Sequence, residues 1–137
     1  MQTVLRILKQ AGGWHHGLYL RIENPPYMAL VIEATDESGP CGLPALSVCH
    51  YGEQNGDLMR DPEMGFELGN ADGLHLNPYS YRNDYVGVEQ WSRFIRDGQY
   101  VYLARLHQQH ERFAQEWDNN LRLQGFAEAF ERQSRPS

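Results

Sequence analysis

Lysine is nearly missing from this chain of 137 residues, since Lys9 is the only one beside eleven arginines. Mechanisms that need a lysine are therefore disfavoured, including a phosphate-binding loop, a Schiff base and the nuclease motif that Asp61 and Glu67 would otherwise suggest. A basic excess is missing too, because the net charge is −6. A duplex-DNA reader needs a basic face that neutralises phosphates, so that class is also disfavoured.

Long apolar runs and an abundance of cysteine are also lacking. No stretch approaches the roughly 18 apolar residues of a membrane span, and the apolar run at the start is too short for a signal peptide. We therefore expect a cytoplasmic protein without membrane contact. Cys41 and Cys49 are the two cysteines, and we expect both to be free and reduced. A chain of this length needs no metal or disulfide for stability, and we expect no cofactor.

The negative charge is concentrated in one part of the chain. Residues 53–84 carry Arg60 and Arg82 against seven acidic side chains, a balance of −5, whereas residues 1–52 carry −1 and residues 85–137 are balanced. The same part holds several tyrosines. We therefore expect any function to lie within residues 57–85.

Hydrophobic periodicity predicts a helix and then a sheet in the first part of the chain. Val4, Leu8 and Ala11 form an apolar stripe on a helix that Thr3 could cap and the Gly12-Gly13 pair would end. Alternating or continuous apolar residues then predict five strands joined by short connections. The expected strands are residues 18–23, 28–34, 45–51, 64–68 and 74–81, with a long acidic loop at 52–63 and a turn at 70–73.

From about residue 86 the apolar spacing becomes helical. Val88, Trp91 and Ile95 predict a first helix that ends near Gly98, and a stripe over 103–121 predicts a longer one, followed by a short final helix. The whole predicts an α+β domain over residues 1–132 with a loose tail at 133–137. Its antiparallel meander of about five strands has one face covered by the N-terminal helix and the C-terminal helices.

Six histidines suggest a metal, but their spacing does not support one. His107 and His110 are three apart, whereas the helix of zinc proteases has its histidines four apart. We expect His107 to be a solvated helix residue and His110 to lie at the edge of the core. His15 and His16 are adjacent in the chain, so their side chains point in different directions. His50 and His75 are expected on strands, possibly as neighbours in the sheet. Neither pair predicts a metal site.

Catalytic groups are weakly indicated. Cys49 and His50 are adjacent, and on a strand their side chains point to opposite faces, so they do not form a nucleophile and base. Asp57, Asp61 and Glu63 can crowd in one loop and raise one another's proton affinity, which is a route to a general acid. A metal-assisted hydrolase is therefore kept as a third alternative. The seven acidic residues within 53–84 could also imitate phosphates for a basic partner, as a nucleic-acid mimic would.

Aromatic and arginine side chains are mixed after residue 78, and this pattern suits stacking on unpaired bases. Binding of single-stranded nucleic acid is therefore the second alternative. The competing interpretation is structural, because tyrosine favours strands and Trp91 lies on the apolar stripe of the next predicted helix. The residues concerned are Tyr79, Tyr81, Tyr85, Trp91, Arg82, Arg93 and Arg96.

Three phrases resemble the signature of a family of uncharacterised bacterial domains carried on plasmids, phages and conjugative elements. They are NGDLMRDPEM at residues 55–64, FE at 66–67 and YRNDYVGV at 81–88. The resemblance extends over residues 44–90 and does not include the long C-terminal helix. It implies an accessory protein of a mobile element, with a partner in host defence, replication or transfer, and it implies no particular chemistry.

Charge pairing explains the signature physically. Arg60 can pair with Asp61, Glu63 or Asp84, and Pro62 restricts the backbone before it, so ion pairs can hold the acidic loop against the end of the sheet. Our leading interpretation is a non-enzymatic interaction or regulatory domain that binds a protein partner. Oligomeric state is left open. The predicted partner surface consists of Asp57, Arg60, Asp61, Glu63, Tyr79, Tyr81, Arg82 and Asp84.

Overall fold

The computed structural model describes residues 1–69 and 74–135, and in these ranges the chain forms three helices and eight strands. The helices are α1 (Gln2–Gln10), α2 (Ala104–Leu123) and α3 (Phe126–Ser134). The strands are β1 (Tyr19–Asn24), β2 (Tyr27–Ala34), β3 (Ala45–Gln54), β4 (Asp57–Gly69), β5 (His75–Asn83), β6 (Val88–Trp91), β7 (Arg93–Arg96) and β8 (Gln99–Tyr102).

Strands β1 to β6 form an antiparallel meander in chain order, and β7 and β8 form a separate two-stranded hairpin. The three helices cover one face of the large sheet. Apolar side chains from alternate strand positions, such as Ile32, Val48 and Phe66, pack there against residues such as Leu121 and Phe126. The predicted α+β class, the meander and the covered face are confirmed, with six strands in the sheet.

The N-terminus of α1 is capped from a distance. Thr3 does not cap it; instead the carboxylate of Asp118, a buried residue of α2, accepts hydrogen bonds from the backbone amides of Gln2 and Thr3 at 3.1 and 2.9 Å. A carboxylate satisfies unpaired amides there and is favoured by the helix dipole. This contact joins the first helix to the second.

The long acidic loop predicted at 52–63 is wrong, because β3 and β4 continue through it as a hairpin. Asn55 and Gly56 form the two-residue turn with φ values of 52° and 86°. Positive φ at both central residues is the requirement of a type I′ hairpin turn, which suits this dipeptide. Residues 51–60 therefore form a protruding part of the sheet, here called the hairpin arm.

The helix predicted at 86–98 is also wrong, because the segment forms β6, β7 and the turn to β8. Val88, Trp91 and Ile95 have helical spacing, but they lie on two strands of four residues each. Their spacing therefore does not indicate a shared helix face. Asp97 and Gly98 form the β7–β8 turn, again with positive φ at both positions. The helices predicted after residue 103 are confirmed as α2 and α3.

The last helix extends into the segment predicted as a loose tail. Helix α3 continues to Ser134, and the Gln133 side chain donates to Arg21 O at 2.9 Å along the β1 edge, so the predicted loose tail is ordered in its first residues. The turn predicted at 70–73 lies outside the described residues. Within the described ranges, none of the helices has the length and apolar character needed to cross a membrane.

Candidate functional site

The face of the sheet opposite the helices, called the open face, carries most of the polar side chains of the strands. At one end it continues onto the hairpin arm. At the other end the segment 35–44 and the β7–β8 hairpin lie over it, so the two ends have different surroundings. Most of the predicted site residues lie on this face or at its rim.

Four charged residues form a connected cluster beside the hairpin arm, called the ion network. Arg60 lies 3.6 Å from both Glu63 and Asp84, and Arg82 Nε donates to Asp84 Oδ1 at 2.8 Å. Of the three partners predicted for Arg60, the ion pairs with Glu63 and Asp84 are present in the described residues, and one with Asp61 is not. The Arg60 contacts are ion pairs without side-chain hydrogen bonds, because 3.6 Å is too long for one and its buried Nε has no hydrogen-bond partner.

Backbone contacts make the ion network stiffer than its side-chain distances suggest. Arg60 N–H donates to Asp84 Oδ2 at 2.9 Å, and Asp84 N–H donates to the Arg60 carbonyl at the same distance. The first of these bonds, followed by the one from Arg82, lowers the pKa of Asp84 below its ordinary value. Asp61 joins through Asn83 Nδ2, which donates to its Oδ1 at 2.9 Å. The end of β5 is thus tied to β4.

The hairpin arm presents apolar and charged groups next to the ion network. A cleft of about 330 Å³ on the open face is bordered by Tyr19, Tyr51, Leu58 and Arg60, with Arg21 and Glu33 completing it. Leu58 is 72% exposed and Tyr19 is 57% exposed. Asp57 lies beside the turn of the arm and is exposed. The cleft therefore leaves a leucine and a tyrosine in solvent around an ion-paired arginine.

The two tyrosines of the predicted surface do not join it. A β-bulge in the β4–β5 pairing at residues 65 and 66 places Tyr79 and Tyr81 on opposite faces. The Tyr79 ring lies over Gly65 on the open face and is only 8% exposed, while Tyr81 packs under α2 with its ring 5.0 Å from that of Phe113. The tyrosine part of the predicted partner surface is therefore corrected.

A second arginine–carboxylate pair, not anticipated from the sequence, lies at the other end of the open face. The Arg93 guanidinium contacts the Glu67 carboxylate, and their side chains are 3% and 0% exposed. Glu67 Oε2 also accepts the backbone amides of Cys41 and Leu43 at 2.8 and 3.2 Å. The pair therefore anchors both the segment 35–44 and the β7–β8 hairpin to the sheet.

Comparison with family models gives one assignment. Residues 2–127 match the family described as Domain of unknown function (DUF6908). The chain belongs to this family. The match includes α1, the whole sheet and α2, so it extends well beyond the segment 44–90 that carries the signature phrases. No curated protein and no solved structure matches the chain.

Two histidines of this DUF6908 domain, His107 and His110, lie in its core. His107 is buried, contrary to the prediction, with Nε2 2.7 Å from Asn77 Oδ1, and His110 lies between Ser92 and Gln90 as a satisfied core residue. Burial lowers the pKa of His107 and lowers that of His110 to about 4, with His107 adding to the latter. Both rings are therefore neutral near pH 7, and among the described residues there is no cluster of three potential metal ligands.

The remaining candidates for chemistry are dispersed in the DUF6908 domain. Cys41 and Cys49 are free, as expected, and burial raises the pKa of Cys49 to about 12, so its thiol is a poor nucleophile. His50 is not a neighbour of His75. His50 lies at a second β-bulge, in the β3–β4 pairing between Cys49 and Tyr51, whereas His75 pairs with Gly69 at the far end of β4. Of the residues predicted for base stacking, Tyr79 and Arg93 are buried and Tyr81 is half-buried. Tyr85, Trp91 and Arg96 stay exposed.

Proposed function

We propose that this protein is a non-enzymatic interaction domain that binds a protein partner through the hairpin arm and the cleft beside it. The observation that carries this proposal is the exposed Leu58 and Tyr19 around Arg60. When a partner covers large apolar side chains that were exposed to water, the free energy of the complex is lowered.

The ion network supports the proposal by limiting the motion of the arm. Arg60 is held by Asp84 on one side and Glu63 on the other, and both strands of the arm are paired. A surface that is ordered before binding loses less conformational entropy in the complex. The network therefore acts as a support that positions Leu58, and Asp57 adds negative charge at the tip.

The cellular setting belongs to the same proposal. Both cysteines are unpaired, which suits the reducing cytoplasm. The signature phrases at 55–64 and 81–88 fall on the hairpin arm and the ion network. Their resemblance to mobile-element domains supports a partner involved in host defence, replication or transfer.

A site-specific crosslinking experiment tests the proposal. A photoreactive benzoylphenylalanine replaces Leu58 in one variant and Leu123 in another, and both are irradiated in the native host. Leu123 is an equally suitable position, being 74% exposed, but it lies on α2 across the sheet. We expect a defined adduct from position 58 that is absent from position 123.

The second part of this experiment tests whether the adduct depends on the ion network. Adding Arg60→Ala to the Leu58 variant is expected to reduce the adduct while the circular dichroism spectrum stays unchanged. Equal adduct patterns from positions 58 and 123, or an adduct that does not respond to Arg60→Ala, would contradict the proposal.

A further inference from the structure

A groove at the other end of the open face is built differently from the cleft of the hairpin arm. One wall consists of Tyr79, Trp91, Phe94 and Ile95, and the other of the segment 35–40, with a volume of about 590 Å³. Trp91 and Tyr79 lie against each other with ring centroids 5.7 Å apart. Trp91 nevertheless stays 46% exposed, and Ile95 stays 55% exposed.

The groove is held open by buried contacts. The Glu67–Arg93 pair lies behind the groove and fixes both walls. Glu67 accepts hydrogen bonds from backbone amides of the segment 35–44, and Arg93 belongs to β7. Gly39 packs so closely on the Glu67 side chain that a Cβ there would overlap it. The two walls are thus tied to one buried carboxylate.

The charged residues that line the groove are acidic, and one guanidinium, that of Arg96, lies over the Phe94 ring of its wall. Asp36 and Glu37 line it and are exposed, and neither forms an ion pair with any residue in the described ranges. The lining residues include no lysine or arginine. Two unpaired carboxylates facing an aromatic wall repel phosphates and attract cations.

The aromatic wall already contacts one guanidinium within the chain. Arg96 Cζ lies 5.1 Å from the centroid of the Phe94 ring, within the distance at which a cation is attracted to an aromatic face. Trp91, whose indole is the strongest aromatic acceptor for a cation, lies on the same wall and is 46% exposed.

We infer that this groove binds a cationic side chain, arginine or lysine, of an extended protein segment. The cation would lie against Trp91 while Asp36 and Glu37 balance its charge, and the apolar stem would pack on Ile95. This site lies apart from the hairpin arm, so it stands or falls independently of the function proposed above.

The experiment titrates isotope-labelled protein with a capped hexa-arginine peptide at about 0.15 M salt, where long-range charge effects are screened. A capped hexa-citrulline peptide has nearly the same shape and no charge. The arginine peptide is expected to shift the indole resonance of Trp91 and the amides of residues 35–40, and to leave the buried indole of Trp117 unmoved. A hexa-lysine peptide then shows whether the guanidinium itself is required.

Two double variants with the same change in net charge separate a specific groove from general attraction to an acidic protein. Asp36→Asn with Glu37→Gln is expected to weaken binding of the arginine peptide by about fivefold or more, and so is Trp91→Leu. Glu53→Gln with Asp57→Asn, on the hairpin arm, is expected to change it less than about twofold. Equal weakening by both double variants, unchanged binding by Trp91→Leu, or equal affinity for the citrulline peptide would overturn the inference.

Discussion

The two ends of the open face each place an arginine against a carboxylate, yet they differ in burial. Arg93 and Glu67 are 3% and 0% exposed, whereas Arg60 and Asp84 are 34% and 17% exposed. The buried carboxylate also accepts two backbone amides from the segment that covers it. The exposed pair borders a cleft that remains open.

This difference assigns different roles to the same chemistry. A buried charge that loses its partner is left without water or a counter-ion, so removal of one partner of the Arg93–Glu67 pair should destabilise the fold. A partly exposed charge can be rehydrated, so the ion network can be altered while the domain stays folded. Changes at the two ends should therefore separate stability from binding.

The largest expected effect comes from breaking the buried pair. Arg93→Ala leaves Glu67 charged and enclosed, and we expect the free energy of unfolding to fall by about 3–5 kcal/mol. Urea denaturation followed by circular dichroism measures the loss. Arg82→Ala, in the exposed network, is the matched control and should cost much less. Equal losses in the two variants would contradict the assigned roles.

A close approach on the open face gives the next largest effect. A Cβ at Gly65 would lie 2.7 Å from Tyr79 Cζ and 2.6 Å from Ser80 Oγ. Gly65→Ala should therefore destabilise the fold by about 1–3 kcal/mol through overpacking. Because the clash involves the Tyr79 ring, adding Tyr79→Leu should recover part of this loss in the same urea assay. Additive losses in the double variant would show that the ring is not the cause.

Much of this architecture follows from local pattern. The alternation of Leu20 and Ile22 with polar residues predicts β1, and the long stripe that includes Trp117 and Leu121 predicts α2. The ion pairs of Arg60 were also predictable, since few basic residues lie among many acids in that segment. Such features depend on neighbours in sequence or on charge that any fold would bring together.

The errors have two physical origins. The dipeptides Asn55-Gly56 and Asp97-Gly98 are strong hairpin signals. If these signals are given more weight than loop composition or helical spacing, the sequence predicts the first part of β4 and the β7–β8 hairpin. The Glu67–Arg93 pair has no such signal, because its residues are 26 positions apart and meet only through the tertiary fold. The bulge that separates Tyr79 from Tyr81 likewise depends on pairing with β4.

The pH dependence of the ion network gives a smaller effect. The pKa of Asp84 is lowered, chiefly by the Arg60 amide and then by Arg82, from an ordinary value of 3.8. Its ionised form therefore stabilises the fold above that value, and the contribution disappears as the pH falls through the lower folded pKa. We expect Asp84→Asn to lose about 1 kcal/mol between pH 5 and 7.

The same comparison at acidic pH tests the cause of that loss. As the pH falls below the ordinary value of 3.8, the stabilities of the original protein and Asp84→Asn should converge. The unfolded state is protonated at Asp84 first, and the contribution is lost completely once the pH is below the lowered folded pKa. Asp57→Asn, at the exposed tip of the arm and outside the ion network, is the control variant with the same change of charge. A difference that stays constant down to pH 3 would indicate that the pKa of Asp84 is not the source.

The smallest expected effect on stability accompanies the clearest expected effect on binding. Leu58→Asp changes a side chain that is already in water, so the free energy of unfolding should stay within about 0.5 kcal/mol. It nevertheless places a charge at the centre of the proposed contact surface, next to the cleft of Tyr19 and Arg60. A benzoylphenylalanine at position 19 should therefore lose its adduct when Leu58→Asp is added. Leu123→Asp, an equally exposed leucine across the sheet, should leave both stability and adduct unchanged; a loss of adduct there would mean that charge anywhere on the domain weakens binding.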